Sequence, residues 1–158
     1  MEFDKSSLKM INKFFLFFIA LFFIGFFASF TPVVNQNIKV TITKLQNNNG
    51  VVLVSLFKDG SGYPDKPEKA YGKEKAYIVE KNATIIFKSV PPGSYAIAIL
   101  HDENNNQKMD KNVLGIPKEG YGFSNNASAP FGPPSYKKAS FIHTSNGQTV
   151  LQIKARYL

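Results

Sequence analysis

The sequence predicts an all-β sandwich domain that follows an N-terminal export segment. Beyond residue 30, apolar and polar residues alternate with a period of two in several short runs, which is the pattern of strands with one solvated face. Asn-Gly pairs and Pro- and Gly-rich stretches separate these runs. No part of this region shows the apolar spacing of a helix. These observations together predict short strands joined by turns in two packed sheets.

Residues 1–30 are predicted to be a signal peptide or an N-terminal membrane anchor. Three lysines precede an uncharged apolar run from Phe14 to Phe30, which is the order of a secretory signal. The run is at the short end of the lengths that span a bilayer, so cleavage somewhere near Ala28 to Thr31 and an uncleaved anchor both remain open. Residues 31–158 are then the sandwich domain, and we expect it in the periplasm, elsewhere in the cell envelope or secreted.

Composition narrows the classes of function. The chain contains no cysteine, which excludes disulfides, thiolate catalysis and cysteine-ligated zinc. Its formal net charge of +8 suits attraction to anionic polymers of the envelope. The lysines are scattered and no basic helix is predicted, so we expect no binding of nucleic acid. We expect contact with a membrane only through residues 1–30, if that segment stays uncleaved.

The first two predicted strands flank an Asn-Gly pair. Residues 38–42 alternate apolar and polar side chains, and residues 51–57, VVLVSLF, form a second β-rich run. Between them stands NNNG, from Asn47 to Gly50. An Asn-Gly pair between two apolar runs favours a type I′ turn, in which both central residues need positive φ. The pattern therefore predicts a β-hairpin.

The middle of the chain is predicted to contain a charged loop and then a central strand. Residues 58–75 are rich in Gly, Pro and charge, which indicates a loop with at most a short turn of helix. β-rich runs follow at 77–80 and 83–90, and PPG at 91–93 favours a type II turn with positive φ at its glycine. Residues 95–100, YAIAIL, are apolar on both faces and are therefore predicted to form a central strand.

The C-terminal third is predicted to hold a long irregular segment and a final hairpin. After Asp110 the chain shows no periodicity up to residue 138, and connections of that length are functional or disordered. Runs at 139–143 and 149–157 flank a second Asn-Gly pair, which again predicts a hairpin. Because the strands alternate about one core, we expect the following side chains to be buried: Ile42, Val54, Ile97, Ile99 and Ile153.

The segment HDENNNQKMD, residues 101–110, has the spacing of a calcium-binding loop, in which oxygen ligands come from alternating positions. The candidate ligands are Asp102, Asn104, Asn106, Lys108 through its backbone carbonyl, and Asp110. The glycine expected at the sixth position is Gln107 and the glutamate expected at the twelfth is Val113, so we expect weak affinity for Ca²⁺. Asn and Asp also form self-bonded Asx turns, and a plain turn loop remains the alternative.

A second candidate site lies in GYGFSNN, residues 120–126. Tyr121 and Phe123 could stack on a sugar or peptide while Asn125 and Asn126 hydrogen-bond to it. The two aromatic rings could instead pack over one end of the sandwich, because aromatic side chains bury large areas and this domain is small. Both interpretations remain open from the sequence.

The sequence does not indicate an enzyme. His101 and Asp102 are adjacent on a predicted strand, so their side chains point to opposite faces. No G-x-S-x-G motif surrounds a serine, and no nucleophile can be paired with a base. His143 ends another predicted strand and could approach His101 to hold zinc, which makes a metal-dependent hydrolase the least favoured alternative.

The run from PPG to GYGFSNNA, residues 91–127, resembles the signature of bacterial exported proteins assigned to domain-of-unknown-function family 2141. The resemblance covers essentially the whole chain after the export segment. It implies a small β-sandwich outside the cytoplasm, and it implies no particular activity. Proteins of this kind commonly carry glycines among the loop asparagines, where this chain has Asn105 and Gln107.

One architecture and one role are expected from these features. The architecture is a single immunoglobulin-like or prealbumin-like β-sandwich of about seven strands. The role is that of a non-catalytic binding or adaptor module at the cell envelope, with an envelope protein or polysaccharide as partner and residues 102–126 as the working surface. The leading alternative is a structural domain whose loop at 102–110 binds Ca²⁺ weakly.

Overall fold

Two β-sheets share one hydrophobic core in the computed structural model, which describes residues 36–158. The eight strands, with almost no helix in this part of the chain, confirm the predicted all-β sandwich. Residues 1–30 lie outside the described residues, so the signal peptide or anchor stays a prediction.

The strands are short and follow one another along the whole described chain. In order they are β1 (Ile38–Thr43), β2 (Val51–Lys58), β3 (Gly72–Ala76), β4 (Ala83–Phe87), β5 (Gly93–Asp102), β6 (Gly120–Phe123), β7 (Phe141–His143) and β8 (Thr149–Lys154). Helical structure in the described residues is confined to two 3₁₀ turns and one four-residue helix: Pro67–Lys69, Ser124–Asn126 and α1 (Tyr136–Ala139).

β5 is the central strand of the larger sheet, as its two apolar faces predicted. The order of that sheet is β3-β2-β5-β6, and β7 pairs with the first residues of β5 on the side away from β2. The smaller sheet has the order β4-β1-β8. All neighbours run antiparallel except β1 and β8, which run parallel.

The core between the sheets contains every side chain that the alternation predicted to be buried. None of Ile42, Val54, Ile97, Ile99 and Ile153 exposes more than 3% of its surface. Ile42 and Ile153 are neighbours across the parallel pair, and Val54 and Ile99 are neighbours across β2 and β5. A period of two places whole rows of side chains on one face of a sheet, which is why the pattern identified this face.

Neither predicted Asn-Gly hairpin exists. β1 and β2 belong to different sheets, and so do β7 and β8. Gly50 and Gly147 do have positive φ, 64° and 124°, but Asn49 and Asn146 do not, so the type I′ turn was wrong as well as the strand pairing. Each of these strands has an apolar face to bury, and a crossing between the sheets buries both faces in one core. A turn sequence specifies a local reversal but not the sheet that receives the next strand.

Three other local predictions were also wrong. Residues 58–75 contain the expected short helical turn, but they also contain most of β3, whose charged sequence GKEKA suits an exposed edge strand. The run at 77–80 is not a strand and leads into a tight turn. Gly93 lacks the positive φ of a type II turn, and Ser89 has it instead, at 52°.

β6 and α1 lie in the segment that showed no periodicity. β6 is built on two glycines whose missing side chains leave room for others. A Cβ at Gly120 would overlap the ring of Tyr157, and a Cβ at Gly122 would lie 2.9 Å from Ile153. α1 contributes to a second, smaller cluster of buried side chains on the outer face of the larger sheet. β6 is therefore held in place because its glycine backbone lies close to the side chains of Tyr157 and Ile153. It has no alternating apolar pattern that could have revealed it in the sequence.

Candidate functional site

Two loops meet at one end of the sandwich. Loop 44–50 joins β1 to β2, and loop 103–119 joins β5 to β6. The glycine of NNNG, Gly50, lies so close to the end of β5 that a Cβ there would overlap the carbonyl oxygen of Asp102. We refer to these two loops, with the last residues of β5, as the loop end.

His101 is buried where these two loops pack together. Its Nε2 donates to the Asn49 carbonyl at 2.8 Å, because that oxygen can only accept. Its Nδ1 then accepts a 2.6 Å hydrogen bond from the Tyr157 hydroxyl, a tautomer assigned from the hydrogen-bond network. Burial raises the pKa of Tyr157, so that its hydroxyl stays protonated and able to donate. Both ring nitrogens of His101 therefore serve the structure.

Glu119 braces the two ends of the acid-rich part of the loop. It is buried just before β6, and its carboxylate accepts the backbone N–H of Glu103 at 3.1 Å and that of Asp110 at 3.0 Å. Hydrogen bonds to an ionised carboxylate are stronger than those between neutral groups. Nothing in the run KEGYG distinguishes Glu119 from an exposed acid, so the sequence did not point to this residue.

Asp102 organises the first half of the loop. It is fully buried, and its two carboxylate oxygens accept the backbone N–H groups of Asn106 at 3.0 Å and Gln107 at 2.8 Å. Asn104 and Asn106 each accept through Oδ1 the N–H two residues further on, which are the Asx turns of the plain-loop interpretation. Asn105 and Gln107 have positive φ, 61° and 62°, a conformation that glycine adopts without strain.

The candidate calcium ligands are neighbours in this loop. The Nδ2 atoms of Asn104 and Asn106 donate to the two carboxylate oxygens of Asp110, at 2.7 and 3.0 Å. Asp102 joins the cluster through the Asn106 N–H, and the Lys108 N–H donates to Asn106 Oδ1. The amide nitrogens face Asp110, so a cation would have to displace these hydrogen bonds. The described residues contain no group of three or more His, Cys, Asp or Glu side chains that could hold a metal ion.

The second half of the loop projects a small apolar tip. Lys111 and Pro117 form a β-bridge that closes it, and the Asn112 side chain accepts the N–H groups of Leu114 and Ile116 at 2.9 and 3.0 Å. Three apolar side chains there are exposed to solvent: Val113, Leu114 and Ile116. We refer to the segment from Lys111 to Pro117 as the apolar tip. It lies in the stretch where the sequence showed no periodicity.

The two aromatic residues of the second candidate site pack within the protein. Tyr121 and Phe123 lie in β6 with their ring centroids 6.0 Å apart. Phe123 is buried against Tyr63, and Tyr121 is partly buried in the same cluster. The backbone of Tyr121 exchanges hydrogen bonds of 3.0 and 2.8 Å with Arg156, which ties β6 to the chain beyond β8. The packing interpretation thus accounts for both rings.

Asn125 and Asn126 also have structural partners. The Asn125 amide donates to the Ser140 carbonyl at 2.8 Å, and Asn126 Oδ1 accepts the Lys154 N–H at 2.9 Å, which covers an edge position of β8. β6 leads away from the loop end before this segment begins. The single working surface expected for residues 102–126 is therefore divided, and the two sets of candidate residues are not brought together.

The approach of His143 to His101, which the zinc alternative required, does not occur. β7 places His143 opposite Gly93, at the other end of β5 from His101. The strand between these two positions is about 27 Å long at about 3.4 Å per residue. His143 is buried, and its ring nitrogens are bonded to the Thr149 hydroxyl and the Val90 carbonyl. The two histidines do not form one zinc site.

The fold and the loop end define the class of protein: a small all-β sandwich that displays one braced, acid-rich loop with an apolar tip. Residues 40–151 match the family DUF2141, which is described as uncharacterized protein conserved in bacteria. The chain belongs to this family, which confirms the resemblance in the sequence. Comparisons with curated proteins and with solved structures gave no match. Among the described residues, no helix has the length and apolar character needed to span a bilayer.

Proposed function

We propose that the chain is an exported, non-catalytic binding or adaptor module of the cell envelope, which engages its partner through the loop end. The observation that carries the proposal is the contrast between a braced base and an exposed apolar tip. Asp102 and Glu119 hold the base through backbone N–H groups, whereas Val113 and Leu114 expose 102% and 79% of their surface. A preorganised loop loses little conformational entropy on binding, so its apolar side chains contribute more affinity.

The burial and hydrogen bonding of four titratable side chains favour a binding function over catalysis. Both histidines of the chain are buried, and both ring nitrogens of each are used in structural hydrogen bonds. The buried carboxylates of Asp102 and Glu119 are likewise occupied by backbone N–H groups. A general acid or base must come within hydrogen-bond reach of its substrate. His101, Asp102 and Glu119 are committed instead to holding the loop end, and His143 to hydrogen bonds at the other end of β5.

A photo-crosslinking amino acid placed at Leu114 should form an adduct with an envelope component in living cells. The chain is expected outside the cytoplasm, with an intact mass below 17.6 kDa if residues 1–30 are removed. The matched control is the same amino acid at Ile142, which is 69% exposed and lies on β7 near the opposite end of β5. An adduct at Leu114 and none at Ile142 supports the proposal. No adduct at Leu114, or a chain confined to the cytoplasm, contradicts it.

Calcium support of the loop is a second candidate function. The observation in its favour is Gln107, whose φ of 62° and N–H bond to Asp102 supply the sharp turn that calcium loops normally assign to glycine at this position. The ligands would be Asp102, Asn104, Asn106, the Lys108 carbonyl and Asp110. With two carboxylates, and with amides that must turn to present oxygen, we expect a Kd on the order of 10⁻⁴ to 10⁻³ M.

Calcium at roughly ten- to thirtyfold above its Kd should raise the free energy of unfolding by about 1.4–2 kcal/mol. Asp110→Asn should remove this gain because it removes one of the two ligand charges. Glu103→Gln should keep it, because the Glu103 carboxylate accepts a hydrogen bond from Asn47 and occupies a non-ligand position. Mg²⁺ should act poorly, since it requires tight octahedral geometry.

The measurement is a thermal melt of the wild type and both variants in about 10 mM Ca²⁺ and in chelator, a concentration chosen to exceed the expected Kd. Equal melting temperatures for the wild type in both conditions would contradict a calcium site. Residues 101–110 would then be explained by the Asx turns alone.

A further inference from the structure

We infer that the partner of the loop end is the surface of an anionic lipid bilayer, into whose interface the apolar tip inserts. This inference rests on the proposed function and names the class of partner. It differs from the expectation drawn from the sequence, in which a membrane was contacted only through residues 1–30. An envelope protein and a polysaccharide are the outcomes that the experiment below must separate from it.

The exposure of the apolar tip is the first support. Val113, Leu114 and Ile116 occupy one tight turn and are exposed at the end of a loop that is braced at its base. Peripheral membrane elements bury such side chains at the boundary of headgroups and acyl chains, with an affinity that grows with the apolar area. Apolar side chains that cluster on the surface of a folded domain mark interaction sites.

The backbone of the tip already satisfies much of its own hydrogen bonding. The Asn112 N–H donates to the Ile116 carbonyl and the Gly115 N–H to the Asn112 carbonyl, both at 2.9 Å. The Asn112 side chain accepts the N–H groups of Leu114 and Ile116. Unpaired backbone groups oppose the entry of an irregular loop into lipid, which offers no partners for them. A protein partner could supply such partners itself, so a self-bonded tip favours lipid over protein.

The chemistry of the tip also disfavours a polysaccharide. Sugars are recognised by aromatic rings that stack on them and by hydrogen-bonding side chains beside those rings. Between Lys111 and Pro117 the exposed side chains are aliphatic, and the one amide, that of Asn112, is used inside the turn. Aliphatic side chains on a self-bonded turn suit the boundary between lipid headgroups and acyl chains better than they suit a sugar.

The charges around the tip indicate an anionic surface. Lys108, Lys111 and Lys118 are exposed and flank the apolar residues on both sides in the sequence. The acids of the loop lie at its base, where they accept hydrogen bonds within the protein: Asp102, Glu103, Asp110 and Glu119. A partner that meets the tip therefore meets lysines. Each lysine near an anionic membrane strengthens binding about fivefold.

A fluorophore at a single introduced cysteine can report insertion of the tip directly, because the chain has no cysteine of its own. On the full chain, an environment-sensitive label at Val113→Cys should shift its emission to the blue with vesicles of phosphatidylcholine and phosphatidylglycerol. Vesicles of phosphatidylcholine alone should give a much smaller shift, and high salt should weaken the response because it screens exposed charges. The label reports the tip itself, whether or not residues 1–30 also hold the chain on the vesicle.

The control for apolar exposure is the same label at Phe131→Cys. Phe131 is 95% exposed in the loop between β6 and β7, away from the apolar tip in sequence. It should show no shift with either vesicle. Comparison of the two labelled positions separates insertion of the tip from general adsorption of the protein.

The control for charge compares two pairs of lysines. Lys111→Glu with Lys118→Glu should raise the lipid concentration at half-maximal shift by more than about tenfold, at about fivefold for each lysine lost. Lys137→Glu with Lys138→Glu makes the same change in net charge on α1, whose Tyr136 hydroxyl is hydrogen-bonded to Ser94 near the opposite end of β5. This pair should alter that concentration by less than about threefold, because screening limits action at a distance.

No blue shift at Val113 with anionic vesicles would overturn the inference, and so would equal shifts at Val113 and Phe131. If the shift is absent and the crosslinker at Leu114 captures a protein or a glycan in cells, the proposed function stands and the lipid partner is wrong. If neither the shift nor any adduct is observed, both are wrong.

Discussion

Replacing Gly50 with alanine should lower the free energy of unfolding by about 3–5 kcal/mol, the combined effect of a strained backbone and an overlap of atoms. The new Cβ would overlap the carbonyl oxygen of Asp102 and would lie 2.8 Å from the Cα of Glu103. These are backbone atoms, so no side-chain rotation relieves the contact. Gly50 also has φ of 64°, which a residue with a Cβ adopts at a cost. Urea denaturation of the purified protein measures the loss through the transition midpoint.

Gly115→Ala is the matched control for this change. Gly115 has φ of 78°, close to that of Gly50, and a Cβ there would meet no atom within 4 Å. It shares the conformational cost but not the overlap, so we expect a loss of only about 1–2 kcal/mol. Equal losses for the two variants would show that loop 44–50 does not pack against the end of β5 as closely as described.

Replacing Ile99 with alanine should lower the free energy of unfolding by about 2–5 kcal/mol, the range for removing a large aliphatic side chain from a packed core. Ile99 is 3% exposed and lies on the central strand, paired with Val54 on one side and Gly122 on the other. Because Gly122 has no side chain to move into the space, the cavity left by the substitution should collapse only in part. The same urea denaturation measures the effect.

Ile142→Ala tests whether that loss depends on burial. Ile142 is also on a strand that pairs with β5, but its side chain is largely exposed. We expect a change within about 0.5 kcal/mol, as for most surface substitutions. A loss below about 1 kcal/mol for Ile99 would mean that the face assigned to the core is wrong, given the usual range for buried isoleucine.

The core strands could be predicted from the sequence because their information is local. Ile97 and Ile99, or Ile42 and its neighbours in β1, recur at a period of two, and that period alone decides which side chains share a face. The partners of each strand depend on contacts between distant segments. Nothing near Gly50 encodes that β2 joins β5 instead of β1.

The two strands that were missed lack an apolar alternation for different reasons. β3 is an edge strand with charged residues at its exposed positions, where apolar residues would make the sheet edge prone to aggregation. β6 is held by close approach at Gly120 and Gly122, and a glycine carries no hydrophobic signal in a sequence. Both strands become visible only when their neighbours are known.

In the candidate site too, local features could be predicted from the sequence, whereas contacts between distant residues could not. The spacing of Asp102, Asn104 and Asn106 predicted calcium ligands, with a self-bonded turn loop as the alternative. The hydrogen bonds within the loop show the Asx turns of that alternative, and calcium binding stays a prediction. Glu119 was missed because its role depends on two N–H groups, one of them sixteen residues away in the chain. Val113 was considered only as the wrong residue at a calcium position. Its exposure is a property of the folded loop, and the sequence pattern does not contain it.

The position of β1 affects how the chain folds. β1 is the middle strand of the smaller sheet, and six other strands separate it along the chain from its parallel partner β8. Contacts between segments so distant in sequence form slowly, because the entropy of closing a long loop is lost before the contacts are gained. During synthesis, β1 cannot pair with β8 until the chain as far as Lys154 has left the ribosome. A chain with this topology therefore completes its smaller sheet later than a chain built from local hairpins.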